Sequence, residues 1–206
     1  MTKKKREIRR VEPIRSEDDV LRLGDVLRVN FGPNYYTLYI LGINSGLRIS
    51  DLLALTVRDV WDFEANEPQK WYRQREQKTD KAKQFRWNEA ARLVVAEYIR
   101  KEMRDARPDS LLFESRKKPG TSISRVQVWR VLKAAGKQVG LKEDIGTHTL
   151  RKTFGYHAWR RGTDVRLLQE VYNHSHPSTT LRYISVTQDE VDQVYINNPL
   201  GIRGLK

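Results

Sequence analysis

Residues 146–162, GTHTLRKTFGYHAWRRG, predict a half-buried helix that carries two unusual side chains near its start. His148 and Arg151 lie three positions apart, so they share one helix face and can reach one point beyond it. A solvated face, or a hydrogen bond satisfied within the fold, would explain this pair equally well when it is taken alone. The remainder of the sequence decides between these interpretations.

The composition limits what the protein can be. Its 206 residues, 38% of them hydrophobic, suffice for one good core or for a large domain with an arm. The 39 Lys and Arg against 26 Asp and Glu give a formal net charge of +13, which favours a polyanionic partner. A soluble protein that is merely basic is the alternative interpretation.

Missing residue types exclude several kinds of site. Without cysteine there is no disulfide framework, no thiolate zinc site and no thiol nucleophile, and a reducing cytoplasm is the expected location. The basic N-terminus is followed by no apolar segment, and no later run approaches about 18 apolar residues. We therefore expect neither export nor a membrane span.

Helix and strand signals predict a mainly α-helical fold with a small antiparallel three-stranded β-sheet. A basic arm is expected over 1–15, since positions 3–10 carry six Lys and Arg that could follow nucleic-acid phosphates. Three β-prone runs predict the strands: 56–63, 70–77 and 83–88. Capping residues and apolar spacing predict the helices: 16–29, 34–46, 50–55, 88–103, 124–139, 147–161 and 163–173.

A second candidate for chemistry is Arg48, in the stretch NSGLRISDLLAL at 44–55. It follows a Gly-containing turn and begins a short helix, with Ser50 as the expected cap and leucines that look buried. We expect the side chain to be held rigidly near the core. A buried ion pair with Asp51 would be the structural explanation of the same pattern.

The third candidate stretch is VYNHSHPSTTLRYISV at 171–186, which concentrates two histidines, two threonines and Tyr183. His174 and His176 could form a metal pair with Tyr183 as a nucleophile. The residue between them is Ser175 rather than an apolar one, and the other two histidines of the chain lie elsewhere. These features disfavour a metal site.

Taken together and in order, these motifs resemble the tyrosine recombinases, the phage integrase family, from about residue 16 to the C-terminus. The family pattern G-L-R-x-S-E/D-L matches 46–52, and H-x-L-R matches 148–151. The pattern L-G-H matches 172–174, and T-T-x-x-Y matches 179–183. Four motifs in the family's order and spacing favour a catalytic role for His148 and Arg151 over a purely structural one.

The resemblance implies a role for each matched residue. Two arginines would clamp a DNA phosphate, His148 would accept the proton of Tyr183, and His174 would hydrogen-bond the phosphate. Asp51 would support the first arginine. The implied catalytic residues are Arg48, Lys78, His148, Arg151, His174 and Tyr183, with neither a metal nor another cofactor.

Lys78 is included among these catalytic residues because the family places a lysine, commonly followed by threonine, at a β-hairpin turn. Lys78 matches this K-T pattern between two predicted strands. Lys81 and Lys83 lie close enough to be confused with it. Simple phosphate affinity is the alternative explanation for any lysine in so basic a stretch. Lys81, Lys83 and Arg86 are expected to contact DNA.

The function implied by the resemblance is site-specific DNA recombination or integration. Strands would be cleaved and rejoined through a 3′-phosphotyrosyl intermediate and a Holliday junction, within a tetramer on paired double-stranded DNA sites. The protein would be a monomer in free solution and could use accessory DNA-bending proteins. A type IB topoisomerase and a DNA-binding regulator without catalysis are the alternatives.

Two departures from the family pattern stand out. Asn173 replaces the usual Gly, which we expect to be harmless because Asn tolerates the left-handed conformation. The N-terminal core-binding domain of longer members is absent from the sequence, which indicates a short member or a fragment. The domain limits we expect are an arm over 1–15, a catalytic domain over 16–184 and a tail over 185–206.

The predicted tail carries a further helix. TQDEVDQVYI at 187–196 begins with a capping box formed by Thr187 and Glu190, and sets Val191, Val194 and Tyr195 at helical spacing. This helix could pack onto its own domain. The resemblance instead implies docking into a neighbouring protomer.

Overall fold

The structure, a computed structural model, describes residues 11–75 and 82–199. Its strands are β1 (Trp61–Asp62), β2 (Glu67–Pro68), β3 (Trp71–Arg75) and β4 (Ala82–Arg86). Its helices are α1 (Glu17–Val26), α2 (Pro33–Ser45), α3 (Ile49–Leu53), α4 (Glu89–Glu102), α5 (Arg125–Val139), α6 (Thr147–Arg160), α7 (Val165–Tyr172), α8 (Pro177–Tyr183) and α9 (Gln188–Ile196). The mainly α-helical class with small antiparallel sheets is confirmed.

The arrangement of the strands differs from the prediction of one three-stranded sheet. The described residues form two two-stranded antiparallel ladders, β1 with β2 and β3 with β4. The first predicted strand is mostly a 3₁₀ turn, because the Thr56 amide and hydroxyl both donate to the Asp59 carboxylate at 2.8 Å. Such local side-chain bonds compete with a strand, so the predicted run keeps only the Trp61–Asp62 strand and an isolated antiparallel bridge between Thr56 and Leu111.

Helix ends follow the predicted chemistry in most places. The Ser16 hydroxyl caps α1 by accepting from the Asp19 amide, and Gly46 ends α2 in the left-handed conformation. The prediction that Ser50 caps α3 is wrong, because the extended residue before that helix is Arg48. The first predicted helix is α-helical only in its first part, since a π-helical turn over Leu27–Phe31 follows α1.

Two apolar clusters hold the helices together. The larger cluster centres on α2, where Leu38 and Leu41 are almost fully buried, and it includes Leu150 of α6. The smaller cluster joins the second half of α6 to α7 and α8. Since α6 contributes to both clusters, it fixes the position of the last helices relative to the main core.

Part of the predicted arm packs against the domain. Ile14 is 1% exposed, and its amide donates to the Thr153 hydroxyl of α6 at 2.9 Å. The Ile14 carbonyl lies 2.9 Å from Nε2 of His157, and the Glu12 amide donates to the Asp144 carbonyl at 3.0 Å. Residues 11–15 therefore pack against α6 and the segment before it, while 1–10 lie outside the described residues.

No helix among the described residues has both the length and the apolar character that a membrane span requires.

Gly155 in α6 permits the closest contact between α6 and α7. A Cβ at this position would overlap the buried Tyr172 hydroxyl and would lie 2.8 Å from the Ile184 side chain. We expect Gly155→Ala to lower the free energy of unfolding by about 2 kcal/mol, because overpacking forces buried groups apart. Thermal denaturation measures this loss.

Gly24→Ala is the matched control, since its Cβ would meet only ordinary contacts at 3.5 Å in the middle of α1. It should leave stability unchanged or raise it by up to about 1 kcal/mol through higher helix propensity. Equal stability of the two variants would contradict the close packing of α6 on α7.

Candidate active site

Arg151 is the centre of the candidate site. It lies in the first half of α6 and is 4% exposed. Its guanidinium donates to the Gly46 carbonyl at the end of α2 and, at 3.2 Å, to the Tyr172 carbonyl at the end of α7. The Tyr172 ring lies below it, with 4.4 Å between Cζ and the ring centroid. The side chain is thus fixed by two helix ends and an aromatic face.

Tyr172 in turn donates a hydrogen bond to the main chain of Arg151. Its hydroxyl donates to the Arg151 carbonyl at 2.8 Å, and its side chain is fully buried. Asn173 follows it with φ 53° and ends α7, so the expectation that Asn tolerates the left-handed conformation here is confirmed. Tyr172 and Arg151 therefore hold each other through both main-chain and side-chain atoms.

Tyr183 lies at the end of α8 and is half-buried. Its hydroxyl lies 3.4 Å from Nδ1 of His148, at the long end of hydrogen-bonding distance. Burial raises the pKa of the phenol, while the charges of Arg151 and Arg48 act in the opposite direction. The phenol is thus protonated at neutral pH and lies beside a group that could accept its proton.

His148 lies at the start of α6, and its side chain reaches solvent. Partial burial is the largest cause of its lowered pKa, followed by the charges of Arg125, Lys152 and Arg151. The imidazole is therefore neutral at neutral pH and has one unprotonated nitrogen. Which nitrogen carries the proton depends on the tautomer.

His174 is held by a neighbour from its own segment. Its Nδ1 lies 3.0 Å from the hydroxyl of Thr180, a fully buried residue of α8. Its ring is half-buried and lies edge-on to the Tyr183 ring, with 5.3 Å between the centroids. Burial lowers its pKa, and the charges of Arg151 and Arg48 lower it further.

Arg48 belongs to this group, but its environment differs from the expectation. The side chain is exposed, not held at the core, because Arg48 is the residue from which α3 begins. The described residues contain no ion pair between Arg48 and Asp51. Asp51 accepts instead from the Ser50 hydroxyl at 3.3 Å; burial lowers the pKa of Arg151, and the Asp51 charge partly offsets that effect. The buried ion pair is therefore wrong as an explanation of Arg48.

The predicted catalytic Lys78 and the predicted DNA-contacting Lys81 lie outside the described residues. The other two predicted DNA-contacting residues belong to β4. Lys83 is in β4, opposite Gln74. Arg86 is exposed at the end of β4, with its Cζ 5.4 Å from the centroid of the Trp71 ring.

For two residues of the site, the sequence did not predict the contact that the structure shows. Thr180 supports His174, and Lys152 lies with its Nζ 5.6 Å from the centroid of the Tyr183 ring. The threonine matched a family motif, but its partner depends on the fold of 173–180. A lysine next to Arg151 gives no signal of burial, because most lysines are exposed.

Among 11–75 and 82–199, no cluster of three or more His, Cys, Asp and Glu side chains could hold a metal ion.

Comparison with known proteins yields consistent matches. The model of the phage integrase family matches residues 16–190. The chain is 41% identical over 187 residues to the probable integrase/recombinase YoeC of Bacillus subtilis (strain 168), covering 90% of this chain and 95% of YoeC. It spans only about half the length of two further relatives, both named tyrosine recombinases.

Solved structures share the fold. A crystal structure of XerA recombinase superimposes with a TM-score of 0.72 at 22% identity, covering 96% of this chain and 66% of that one. The Tn1549 transposon integrase in complex with a circular intermediate DNA gives a TM-score of 0.65 at 20% identity, covering 93% and 67%. These similarities concern the architecture described above.

The contact between His174 and Thr180 can be tested directly. We expect Thr180→Val to change the ring ¹⁵N chemical shifts of His174, because the isosteric change removes the hydroxyl beside Nδ1. It should also cost about 1 kcal/mol of stability through the lost hydrogen bond. The matched control is Thr179→Val, since Thr179 is exposed. Identical His174 shifts in both variants would show that the hydroxyl does not orient the ring.

Proposed function

This chain belongs to the phage integrase family and is a tyrosine-type site-specific recombinase, and we propose that Tyr183 is the nucleophile with which it breaks and rejoins DNA strands. The observation that carries the proposal is the position of the Tyr183 hydroxyl, 3.4 Å from Nδ1 of a neutral His148 and under the charge of two arginines. A phenol in this setting can lose its proton as it attacks a phosphorus atom.

The two arginines would stabilise the charge that develops on the phosphate. Guanidinium groups donate pairs of parallel hydrogen bonds, which fit the non-bridging oxygens of a phosphodiester. Arg151 is already fixed by main-chain carbonyls, so it would need little rearrangement in the transition state. Removing one such donor typically costs about 3 kcal/mol.

The proposed cleavage step conserves the bond energy of the DNA backbone. The Tyr183 oxygen forms a bond to phosphorus, its proton passes to His148, and the bond from phosphorus to the 5′ oxygen breaks. The family resemblance assigns the proton for that leaving oxygen to Lys78. The product is a 3′-phosphotyrosyl linkage, which a 5′ hydroxyl of a second strand can attack in reverse without ATP.

Double-stranded DNA is the proposed substrate. The net charge of +13 favours a polyanion, and the Tn1549 integrase, which shares the fold, was solved with DNA bound. Arg86 on the hairpin and Arg125 near His148 would extend the basic surface beyond the reacting phosphate. The cytoplasm of a bacterial host is the place where we infer that this reaction occurs.

Recombination would require several copies of the chain on paired sites. Helix α9 supports this, because it contains no buried residue and Val194, Tyr195 and Ile196 are each more than 60% exposed. We infer that this helix docks onto a neighbouring protomer in a tetramer that resolves a Holliday junction. Free monomers would then assemble only on DNA, with or without accessory DNA-bending proteins.

The nucleophile can be tested by covalent trapping. A randomised library of nicked duplexes, from which the cleaved strand diffuses away, should yield denaturation-resistant protein–DNA adducts whose sequences identify the site. We expect Tyr183→Phe to abolish the adduct, because no other phenol lies beside His148 in the described part of the chain. The control Tyr36→Phe, in α2 with its ring facing Arg28, should retain it.

Each contrary outcome of this trapping has a distinct meaning. DNA binding without any adduct would indicate a regulator, and an adduct that persists in Tyr183→Phe would overturn the assignment of the nucleophile. Plasmid relaxation without exchange of strands between sites would indicate a type IB topoisomerase.

The role of His148 predicts the pH dependence of cleavage. Only the neutral imidazole accepts a proton, and the pKa of His148 lies below its ordinary value of 6.5. The single-turnover rate should therefore decline on the acid side along a limb whose midpoint lies below pH 6.5. His148→Gln should slow cleavage by about a hundredfold or more, as the loss of a general base does. An acid limb centred above pH 6.5 would contradict this role.

A further inference from the structure

The turn that follows Tyr183 has an unusual residue at its key position. Helix α8 ends in a Schellman motif, in which the Val186 amide donates to the Leu181 carbonyl at 3.1 Å and the Ser185 amide donates to the Arg182 carbonyl at 3.3 Å. The motif requires a left-handed residue, and Ser185 adopts φ 63°. Glycine takes this conformation without steric cost, whereas serine does not. A serine at this position indicates that its side chain makes an interaction that offsets the steric cost.

The hydroxyl of Ser185 is bound by a buried lysine. Nζ of Lys152 donates to the Ser185 Oγ at 2.9 Å, and Lys152 is only 8% exposed. The same ammonium lies 5.6 Å from the centroid of the Tyr183 ring. Lys152 directly follows Arg151 in α6, so this bond connects the phosphate-binding helix to the residue two positions after the nucleophile.

The main chain of Ser185 is held from a second direction. Nη2 of Arg15 donates to the Ser185 carbonyl at 2.7 Å. Arg15 is itself anchored, with its Cζ 4.9 Å from the Tyr156 ring centroid and a 3.5 Å ion pair to Glu190 at the start of α9. The Tyr156 hydroxyl donates to that same Glu190 carboxylate at 2.7 Å.

We propose that Lys152 and Arg15 are positioning residues, which grip Ser185 and so hold Tyr183 beside His148 of its own protomer before DNA binds. The proposal rests on the proposed function of Tyr183 as the nucleophile. The smaller apolar cluster holds α8 on its inner side, and the contacts of Lys152 and Arg15 with Ser185 add a polar anchor to the turn that follows Tyr183. The exposed part of α9 can then engage a partner without displacing the phenol.

Ser185→Ala and Ser185→Gly separate positioning from stability. Alanine keeps the strained backbone but loses the hydroxyl, whereas glycine relieves the strain and loses the hydroxyl too. Because a misplacement of about 1 Å can cost about a hundredfold in rate, we expect both to slow single-turnover cleavage at saturating DNA by about tenfold or more. Melting temperature should fall for alanine and hold or rise for glycine, with DNA affinity unchanged in both.

Asn66→Gly is the matched control, since Asn66 is another non-glycine residue with a left-handed backbone, φ 51°, and lies exposed between β1 and β2. It should cleave at the wild-type rate. Lys152→Met should slow cleavage as Ser185→Ala does, and the double variant should be no slower than Lys152→Met alone, because both changes remove the same bond.

Cleavage by Ser185→Gly at the wild-type rate would overturn the proposal, even if Lys152→Met proves too unstable to measure. Additive losses in the double variant would also overturn it, because Lys152 would then act by another route. If the wild type and Asn66→Gly form no adduct that depends on Tyr183, the proposed function itself fails. The trapping assay therefore distinguishes the two failures.

Discussion

The buried guanidinium of Arg151 is the interaction on which the rest of the structure depends. A buried charge without partners is strongly unfavourable, and here two main-chain carbonyls, from Gly46 and Tyr172, supply the acceptors. Moving the end of α2 or of α7 would leave that charge unpaired, at a typical cost of about 3–5 kcal/mol. Segments more than a hundred residues apart in sequence are thereby fixed at one point.

The positions of the two apolar clusters follow from this constraint. Leu150, directly before Arg151, packs against Gly42 of α2, and Phe154, three residues after Arg151, packs against Gly46. Tyr156, five residues after Arg151, belongs to the second cluster, with α7 and α8. The guanidinium therefore lies between the clusters, and the small residues on α2 allow α6 to approach closely enough for its side chain to reach the Gly46 carbonyl.

The sequence was sufficient to predict those features that depend on local spacing. The placement of His148 and Arg151 on one helix face needed only the helical repeat, and the left-handed Asn173 needed only its backbone preference. The exposure of Arg48 was not predictable in this way, because it depends on which residue α3 begins from. Lys152 and Ser185 lie far apart in the chain, and neither has a pattern that indicates the other. Contacts of this kind require the packed structure.

The charges around the site indicate how a fixed arrangement of side chains can still respond to DNA. Burial is the largest cause of the lowered pKa of Arg151, and the charge of Arg48 lowers it further; burial comes first for His148 and His174 too, followed by their positive neighbours. The protein alone therefore holds several cations against mutual repulsion, with Asp51 as a partial counter-charge. A phosphate placed between the arginines would relieve that repulsion, and charge building on its oxygens in the proposed transition state would relieve it further. Interactions that strengthen as the reaction proceeds are the ones that accelerate it. The packing described above fixes Arg151 near the exposed Arg48, so an anion bound between them would turn an unfavourable charge density into a favourable one.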